Sequence, residues 1–139
     1  MVHTPEHTVT PRLIKAYLDK VTSPELEKIG ITPSSASFLG VIRHFHGISL
    51  KELSEILLVD KAHTTRMVGK LMDLGLVVNT AEGHQYSLEL TEKGNEVAIK
   101  AKEINDAASR ELYKDVTPEE MEVIRNVLFK MQKVIRKEQ

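Results

Sequence analysis

The chain has 139 residues, a formal net charge of −1 and no cysteine. This length is typical of one domain, and the lack of cysteine excludes disulfides, thiolate metal sites and cysteine nucleophiles. The near-neutral charge argues against a protein that coats nucleic acid non-specifically. The N-terminus has no apolar run and no segment is apolar enough to cross a bilayer. We therefore expect a cytoplasmic protein that does not contact the membrane.

Two helices are predicted before residue 48. Residues 1–9 are polar, and we interpret them as a frayed leader. Thr10 and Pro11 combine a capping hydroxyl with a proline in the first helical turn. We expect Pro24 to interrupt this first helix, because proline lacks an N–H and disfavours helix at the residue before it. The same start signal recurs at 32–33. The second helix has an apolar stripe and then a terminating glycine, namely Phe38, Leu39, Ile42, Phe45 and Gly47.

Residues 49–75 are predicted to form two short helices joined by a tight turn. Ser49 and Glu52 have the spacing of a capping box, Asp60 is a suitable N-cap for the second helix, and Gly75 is a suitable terminator. The buried stripe of that second helix is predicted to be Met67, Val68 and Leu71, with Leu74 at its edge. Its other face is small, polar and cationic, and a DNA major groove can admit such a face.

After residue 75 the apolar pattern changes to alternation. This change predicts a small hairpin with strands at 77–78 and 86–90 and a turn at 81–84. Thr91 is predicted to cap a long helix that ends at Asp115 or Val116.

The last helix is predicted to start at residues 117–120, where a threonine, a proline and a capping-box glutamate follow one another. Its apolar residues lie on more than one side, which favours burial against a second copy of the chain over packing within one monomer. These residues are Met121, Val123, Ile124, Val127, Leu128, Met131, Val134 and Ile135.

Three strings of the sequence carry a resemblance to a known family. They are GIT at 30–32, VDKAHTTRMVGKLMDLGLV at 59–77 and LELTEKG at 88–94. In this order and spacing they resemble the multiple-antibiotic-resistance regulator (MarR) family, over residues 10–136 or so.

The resemblance implies one mainly α domain with a small β-hairpin wing, a winged helix-turn-helix. Residues 10–30 and 92–139 would be dimerisation helices, and residues 32–91 the DNA-binding lobe. Such proteins are homodimeric transcriptional regulators, and we expect a repressor here. Their two recognition helices enter successive major grooves of a near-palindromic site in double-stranded DNA. Many of them release DNA when a small phenolic or aromatic carboxylate ligand binds.

Carried over residue by residue, the family's base-contacting and phosphate-contacting positions fall on Ala62, His63, Thr65 and Arg66. Arg66 is the strongest candidate, because a guanidinium can pair bidentately with guanine or hold a phosphate. Further candidates for DNA contacts are Ser49, Lys51, Lys61 and Lys70, with His84 and Gln85 in the wing. Candidates for the ligand are Tyr17, Arg43, His44 and His46. The alternative is that Arg43 and His46 are surface groups and that His44 is a histidine near the core.

Three features depart from the family pattern. The wing, residues 79–86, has no arginine or lysine, although the usual wing inserts an arginine into the minor groove. Residues 48–94 carry five cationic and seven anionic side chains, a net charge of −2, so few phosphates would be neutralised. Leu58 replaces the glycine usual in the turn between the two central helices. A second hypothesis therefore stays open, a winged-helix protein-interaction module that has lost DNA binding.

Other kinds of site are not expected. The sequence has no phosphate-cradling glycine loop and no Ser/His/Asp arrangement at an informative spacing, so we expect neither an enzyme nor a cofactor. The last two helices contain no histidine, and a zinc sensor would need several converging histidine, cysteine or carboxylate ligands. We therefore expect no metal site.

Overall fold

The computed structural model of the protein describes residues 10–137. These residues form six α-helices and one two-stranded sheet, and the predicted leader at 1–9 lies outside them. In chain order the elements are α1 (Pro11–Lys28), α2 (Pro33–His44), α3 (Leu50–Leu57), α4 (Lys61–Asp73), β1 (Val77–Asn79), β2 (Leu88–Leu90), α5 (Glu92–Leu112) and α6 (Pro118–Lys137). The chain divides into two compact units, one ending at Ala108 and the other beginning at Ser109. Within residues 10–137, no helix combines the length and the apolar character needed to span a membrane.

The predicted helix starts at Thr10 and Thr32 are confirmed. The Thr10 side chain accepts a hydrogen bond from the backbone N–H of Leu13, and that of Thr32 accepts one from Ser35. Each threonine has extended backbone angles and is followed by proline at the first helical position. Both helix starts are stabilised locally, because the capping residue and its hydrogen-bond partner lie within one turn of each other.

The predicted break at Pro24 is wrong, because α1 continues through it to Lys28. Two hydroxyls just before the proline bond back to carbonyl groups one turn earlier: Thr22 donates to Leu18 at 2.7 Å and Ser23 to Asp19 at 2.5 Å. After the proline, Leu26 is fully buried in the core of the first unit. This burial holds the last turns of α1 in place and outweighs the local cost of the proline.

Two smaller expectations also differ from the structure. Phe45, expected in the buried stripe of α2, is the C-cap of that helix and is 45% exposed. The long helix α5 ends at Leu112, before the predicted Asp115 or Val116.

The core of the first unit is aliphatic apart from Phe38, as the low aromatic content requires. It lies where α2, α3 and α4 meet the hairpin and the first turns of α5. Its fully buried members are Leu26, Leu39, Ile42, Leu53, Leu71 and Leu88.

The hairpin is antiparallel and has a third partner that the sequence pattern did not indicate. Val77 pairs with Leu90 and Asn79 with Leu88. Ile48, just before α3, forms a bridge with Leu88, whose N–H donates to the Ile48 carbonyl at 2.9 Å. The wing is therefore attached to the segment that enters α3.

The start of α5 packs directly on the chain that follows α4. The Thr91 hydroxyl donates to the carbonyl of Gly75 at 2.6 Å and its backbone N–H donates to that of Leu76 at 3.0 Å. The Gly94 N–H donates to the Thr91 hydroxyl at 3.0 Å. A Cβ on Gly94 would lie 1.9 Å from the carbonyl oxygen of Leu76. The contact therefore requires glycine at position 94, which accounts for the glycine of the LTEKG string.

The second unit consists of the last turn of α5, the connection and α6. Thr117 and Glu120 form a reciprocal capping box with bonds of 3.0 and 3.1 Å. The bonds from the backbone and side chain of Thr117 lower the pKa of the Glu120 carboxyl. Within the described residues, no α6 side chain is buried. Its exposed apolar side chains include Val123, Val127, Leu128, Phe129, Met131, Val134 and Ile135.

We predict that Gly94→Ala lowers the free energy of unfolding by at least about 2 kcal/mol, because the added methyl group overlaps the Leu76 backbone. Urea unfolding followed by circular dichroism measures the change. Gly69→Ala in α4 is the matched control, since its added Cβ meets nothing within 4 Å. Helix propensity should raise the stability of that control by up to about 1 kcal/mol. Equal stability of the two variants would contradict the close contact.

Candidate nucleic-acid interface

The helix-turn-helix begins with the predicted capping box at Ser49. The Ser49 side chain accepts from the Glu52 N–H at 3.1 Å, and the Ser49 N–H donates to the Glu52 carboxylate at 3.2 Å. The box starts α3, and it also occupies the Ser49 backbone amide that could otherwise meet a phosphate.

The turn between α3 and α4 contains a strained leucine. Leu58, the C-cap of α3, has φ 55° and ψ 44°, the left-handed conformation. Leu58 is the single non-glycine residue with positive φ among residues 10–137. For an L-amino acid this conformation costs about 1–2 kcal/mol. The Leu58 side chain is 57% exposed, so burial compensates little of that cost.

Polar contacts on the far side of this turn fix α4 against α3. Asp60 caps α4 by accepting from the His63 N–H at 2.7 Å. The hydroxyl of Thr64 is bonded to Ser54 of α3 at 2.8 Å and donates to the Asp60 carbonyl at 3.1 Å. Thr64 is completely buried. The position of α4 therefore depends on a buried hydroxyl pair as well as on the apolar stripe.

Thr64 is a buried position that the apolar pattern of the sequence does not indicate. The buried residues of α4 are Thr64, Val68 and Leu71, while the predicted Met67 is half-buried. These three residues follow one another at helical steps of four and three, but a threonine does not stand out in an apolar pattern.

The opposite face of α4 is open to solvent. Lys61, Ala62, Thr65, Arg66 and Lys70 are all exposed. The Thr65 hydroxyl donates to the Lys61 carbonyl at 2.9 Å, so what it presents outward is its methyl group and an oxygen that can still accept.

His63 differs from the other candidates on α4. It is half-buried, and its ring lies edge-on to Phe38 with 5.9 Å between centroids. This aromatic contact fixes the position of the imidazole at the first turn of α4.

Two candidates lie on α3 and in the segment that enters it. Lys51 is exposed and Ser49 is half-buried.

The wing is held closed by one asparagine. The Asn79 side-chain oxygen accepts from the N–H groups of Ala81 and Ser87 at 3.1 and 3.0 Å. Thr80 donates twice to the Ser87 carbonyl, through its N–H at 2.9 Å and its hydroxyl at 3.1 Å. His84 and Gln85 are exposed in this loop, which offers no permanently cationic side chain to a minor groove.

Three of the four ligand candidates come together in a groove of about 710 Å³ between α2 and α5. Arg43, His44 and His46 line it from α2 and the residues after α2, whereas Tyr17 lies on α1 and does not line it. The α5 side of the groove was not predicted from the sequence, and it is formed by Asn95, Ala98, Ala101, Lys102 and Asn105. Asn95, Ala98, Lys102 and Asn105 follow at steps of three, four and three, a helical face of polar and small residues. Residues 10–137 contain no cluster of three or more histidine, aspartate or glutamate side chains that could hold a metal ion.

Comparison with known proteins identifies the helix-turn-helix and its wing. A family model described as the MarR family matches residues 29–85. Residues 29–85, the helix-turn-helix and most of its wing, are thus similar to the MarR family. No curated protein sequence gave a significant match.

Solved MarR structures share the fold over nearly the whole chain. A MarR protein from Peptoclostridium difficile is 26% identical, with a TM-score of 0.81 over 99% of this chain and 96% of that one. A MarR transcriptional regulator from Methanosarcina mazei is 27% identical, with a TM-score of 0.81 over 88% of each chain. A regulator from Listeria monocytogenes assigned to the MarR family, solved with a 26-mer DNA, is 20% identical. Its TM-score is 0.85 over 99% of this chain and 92% of that one. The predicted fold class, mainly α with a small hairpin wing, is confirmed.

We predict that Leu58→Gly raises the free energy of unfolding by about 0.5–1 kcal/mol. The relief of the left-handed strain exceeds the greater entropy that glycine gives the unfolded chain. Leu74→Gly is the matched control, because Leu74 is also an exposed helix C-cap but has an ordinary φ of −77°. The free energy of unfolding of this control should fall by about 1 kcal/mol. If both leucine variants are destabilised in urea unfolding, position 58 is not strained.

Proposed function

We propose that this protein is a transcriptional regulator of the MarR type that binds double-stranded DNA as a homodimer and acts as a repressor. The observation that carries the proposal is the exposed face of α4. It presents small side chains, a threonine methyl group and three cations, and no carboxylate follows Asp60 on this helix until Asp73. A face of this width and charge fits a major groove, where Arg66 can reach a guanine edge or a phosphate.

The way α4 is fixed supports the same function. The Asp60 cap, the buried Thr64 hydroxyl and the His63–Phe38 contact hold the first two turns of α4 firmly. Base readout requires such a rigid presentation, because misplaced hydrogen-bond donors lose their discrimination between bases. The Listeria monocytogenes protein of the same fold, which was solved in complex with a 26-mer DNA, supports DNA as the partner.

Positive charge in the DNA-binding lobe is scarce and concentrated. Lys51, Lys61, Arg66 and Lys70 are exposed, while Asp60 is occupied as a helix cap. We propose that these cations, with Ser49, Ala62, His63 and Thr65, contact DNA and that the wing residues His84 and Gln85 contribute weakly. Affinity should then depend on α4 more than on the wing, since a minor-groove contact depends on a cation.

Homodimerisation is supported by apolar surface in both units. On α1, Leu13, Tyr17 and Val21 recur every four residues and are 49%, 38% and 43% exposed. On α6, Leu128 and Phe129 are 56% and 57% exposed. Apolar stripes of this size on a single chain mark surfaces that a second copy can bury.

We predict that Arg66→Ala weakens binding to the DNA upstream of the protein's own gene by about tenfold or more, because one bidentate contact contributes about 1–3 kcal/mol. Fluorescence anisotropy at fixed salt measures the dissociation constant. Arg12→Ala, an exposed arginine on α1, is the control and should bind like the unmodified protein.

The same titration separates the proposal from its alternative. If the unmodified protein binds no genomic fragment, even at low salt, the result would favour a protein-interaction module. The net negative charge of residues 48–94 is compatible with that function as well. Binding that is unaffected by Arg66→Ala would place the DNA contact outside α4.

A further inference from the structure

We propose that the groove between α2 and α5 binds a small hydrophilic anion that carries two or more negative charges. This inference rests on the proposed regulatory function and specifies the chemistry of its effector. The aromatic carboxylate or phenol expected from the family resemblance stays a prediction that the same experiment tests.

The shape of the groove comes from small residues facing one another on two helices. Ala36 and Gly40 of α2 and Ala98 and Ala101 of α5 leave the space between the helices open. The whole groove lies within the first unit, and its volume of about 710 Å³ is large for a single inorganic ion and ample for a small organic polyanion.

Hydrogen-bond donors surround that space. Arg43, Lys102 and the carboxamides of Asn95 and Asn105 line it, together with the imidazoles of His44 and His46. A neutral imidazole has one N–H, which His44 can donate to a ligand. The corresponding N–H of His46 is already donated to the Glu89 carboxylate at 3.0 Å. Among the described residues, none of those lining this groove is a carboxylate.

Arg43 is the best-placed charge. Its Nε–H donates to the Asn95 side-chain oxygen at 3.1 Å, which orients the guanidinium across the gap from α2 to α5. The interaction partner is a neutral amide, so the positive charge of Arg43 is not neutralised by this contact. An oriented guanidinium of this kind suits a phosphate or carboxylate, which it can bind with two parallel hydrogen bonds.

The pairing of the other basic groups explains why we expect a ligand with more than one negative charge. Lys102 is paired with Asp106 at 2.7 Å, and His46 with Glu89 at 3.0 Å. Both pairs are exposed enough to exchange partners at small cost. A ligand with a single charge would engage Arg43 alone, whereas a ligand with two or three charges can engage Arg43 and also draw Lys102 from its present partner.

The lining does not suit an aromatic ring. Aromatic ligands need apolar walls, and their sites are lined mainly by hydrophobic and aromatic side chains. Here the apolar lining consists of three alanines, and no phenylalanine, tyrosine or tryptophan of the described chain lines the groove. Tyr17, the aromatic residue expected to contribute, lies elsewhere on α1.

Isothermal titration calorimetry of the full chain without DNA tests the proposal. The probes are citrate and pyrophosphate, with salicylate as the aromatic comparator. We expect the dissociation constant of at least one of the two multivalent anions to be lower than that of salicylate by a factor of about ten or more. Arg43→Gln and Lys102→Gln should each weaken that binding about fivefold or more.

Lys100→Gln is the matched control, because Lys100 is exposed on the same helix but does not line the groove. It should change the dissociation constant less than twofold. Tighter binding of salicylate, no binding of either multivalent anion, or equal effects of Lys100→Gln and Lys102→Gln would each overturn the proposal. Because DNA is absent from the titration, these results are independent of whether the protein binds an operator.

Discussion

The close approach of α5 to the chain between α4 and β1 is the contact on which the first unit depends. Thr91 bonds to the carbonyl groups of Gly75 and Leu76, and Gly94 leaves room for the Leu76 backbone. Lys93 adds a bond to the Leu74 carbonyl at 3.3 Å, which satisfies an acceptor at the end of α4. Residues 91–94 thus join the end of α4, the first wing strand and the start of α5, and any displacement of α5 would strain all three.

A second group of contacts positions the beginning of α4. The strained Leu58 allows α3 to end abruptly, and the Asp60 cap and the buried Thr64 hydroxyl then fix the next helix. The free-energy cost of the turn is local, whereas the buried contacts that offset it come from α3 and α4 together. The exposed side chains of α4 are therefore presented from a helix that is held at both ends.

The elements that were predicted correctly depend on short-range signals. The caps at Thr10, Thr32, Ser49, Asp60 and Thr117 each satisfy a donor within one turn, so the sequence alone reveals them. The continuation of α1 through Pro24 was not predictable in this way, because it depends on burial of Leu26 by other elements. The groove between α2 and α5 was not predictable for the same reason, since it forms only when these distant helices pack together. The burial of Thr64 follows the helical spacing of Val68 and Leu71, but a threonine does not stand out in an apolar pattern. The DNA and ligand residues stay predictions that the proposed experiments test.

In the proposed homodimer, two copies of α4 lie about one turn of B-DNA apart, roughly 34 Å. Since the chain has no cysteine, Thr65→Cys introduces a single spin-label site on the exposed face of α4. Double electron–electron resonance on the free protein should give a distance distribution centred near 34 Å, and Leu128→Asp on α6 should abolish it by separating the subunits. The absence of dipolar modulation in the labelled protein, or a distribution centred below about 20 Å, too short for successive major grooves, would contradict this account.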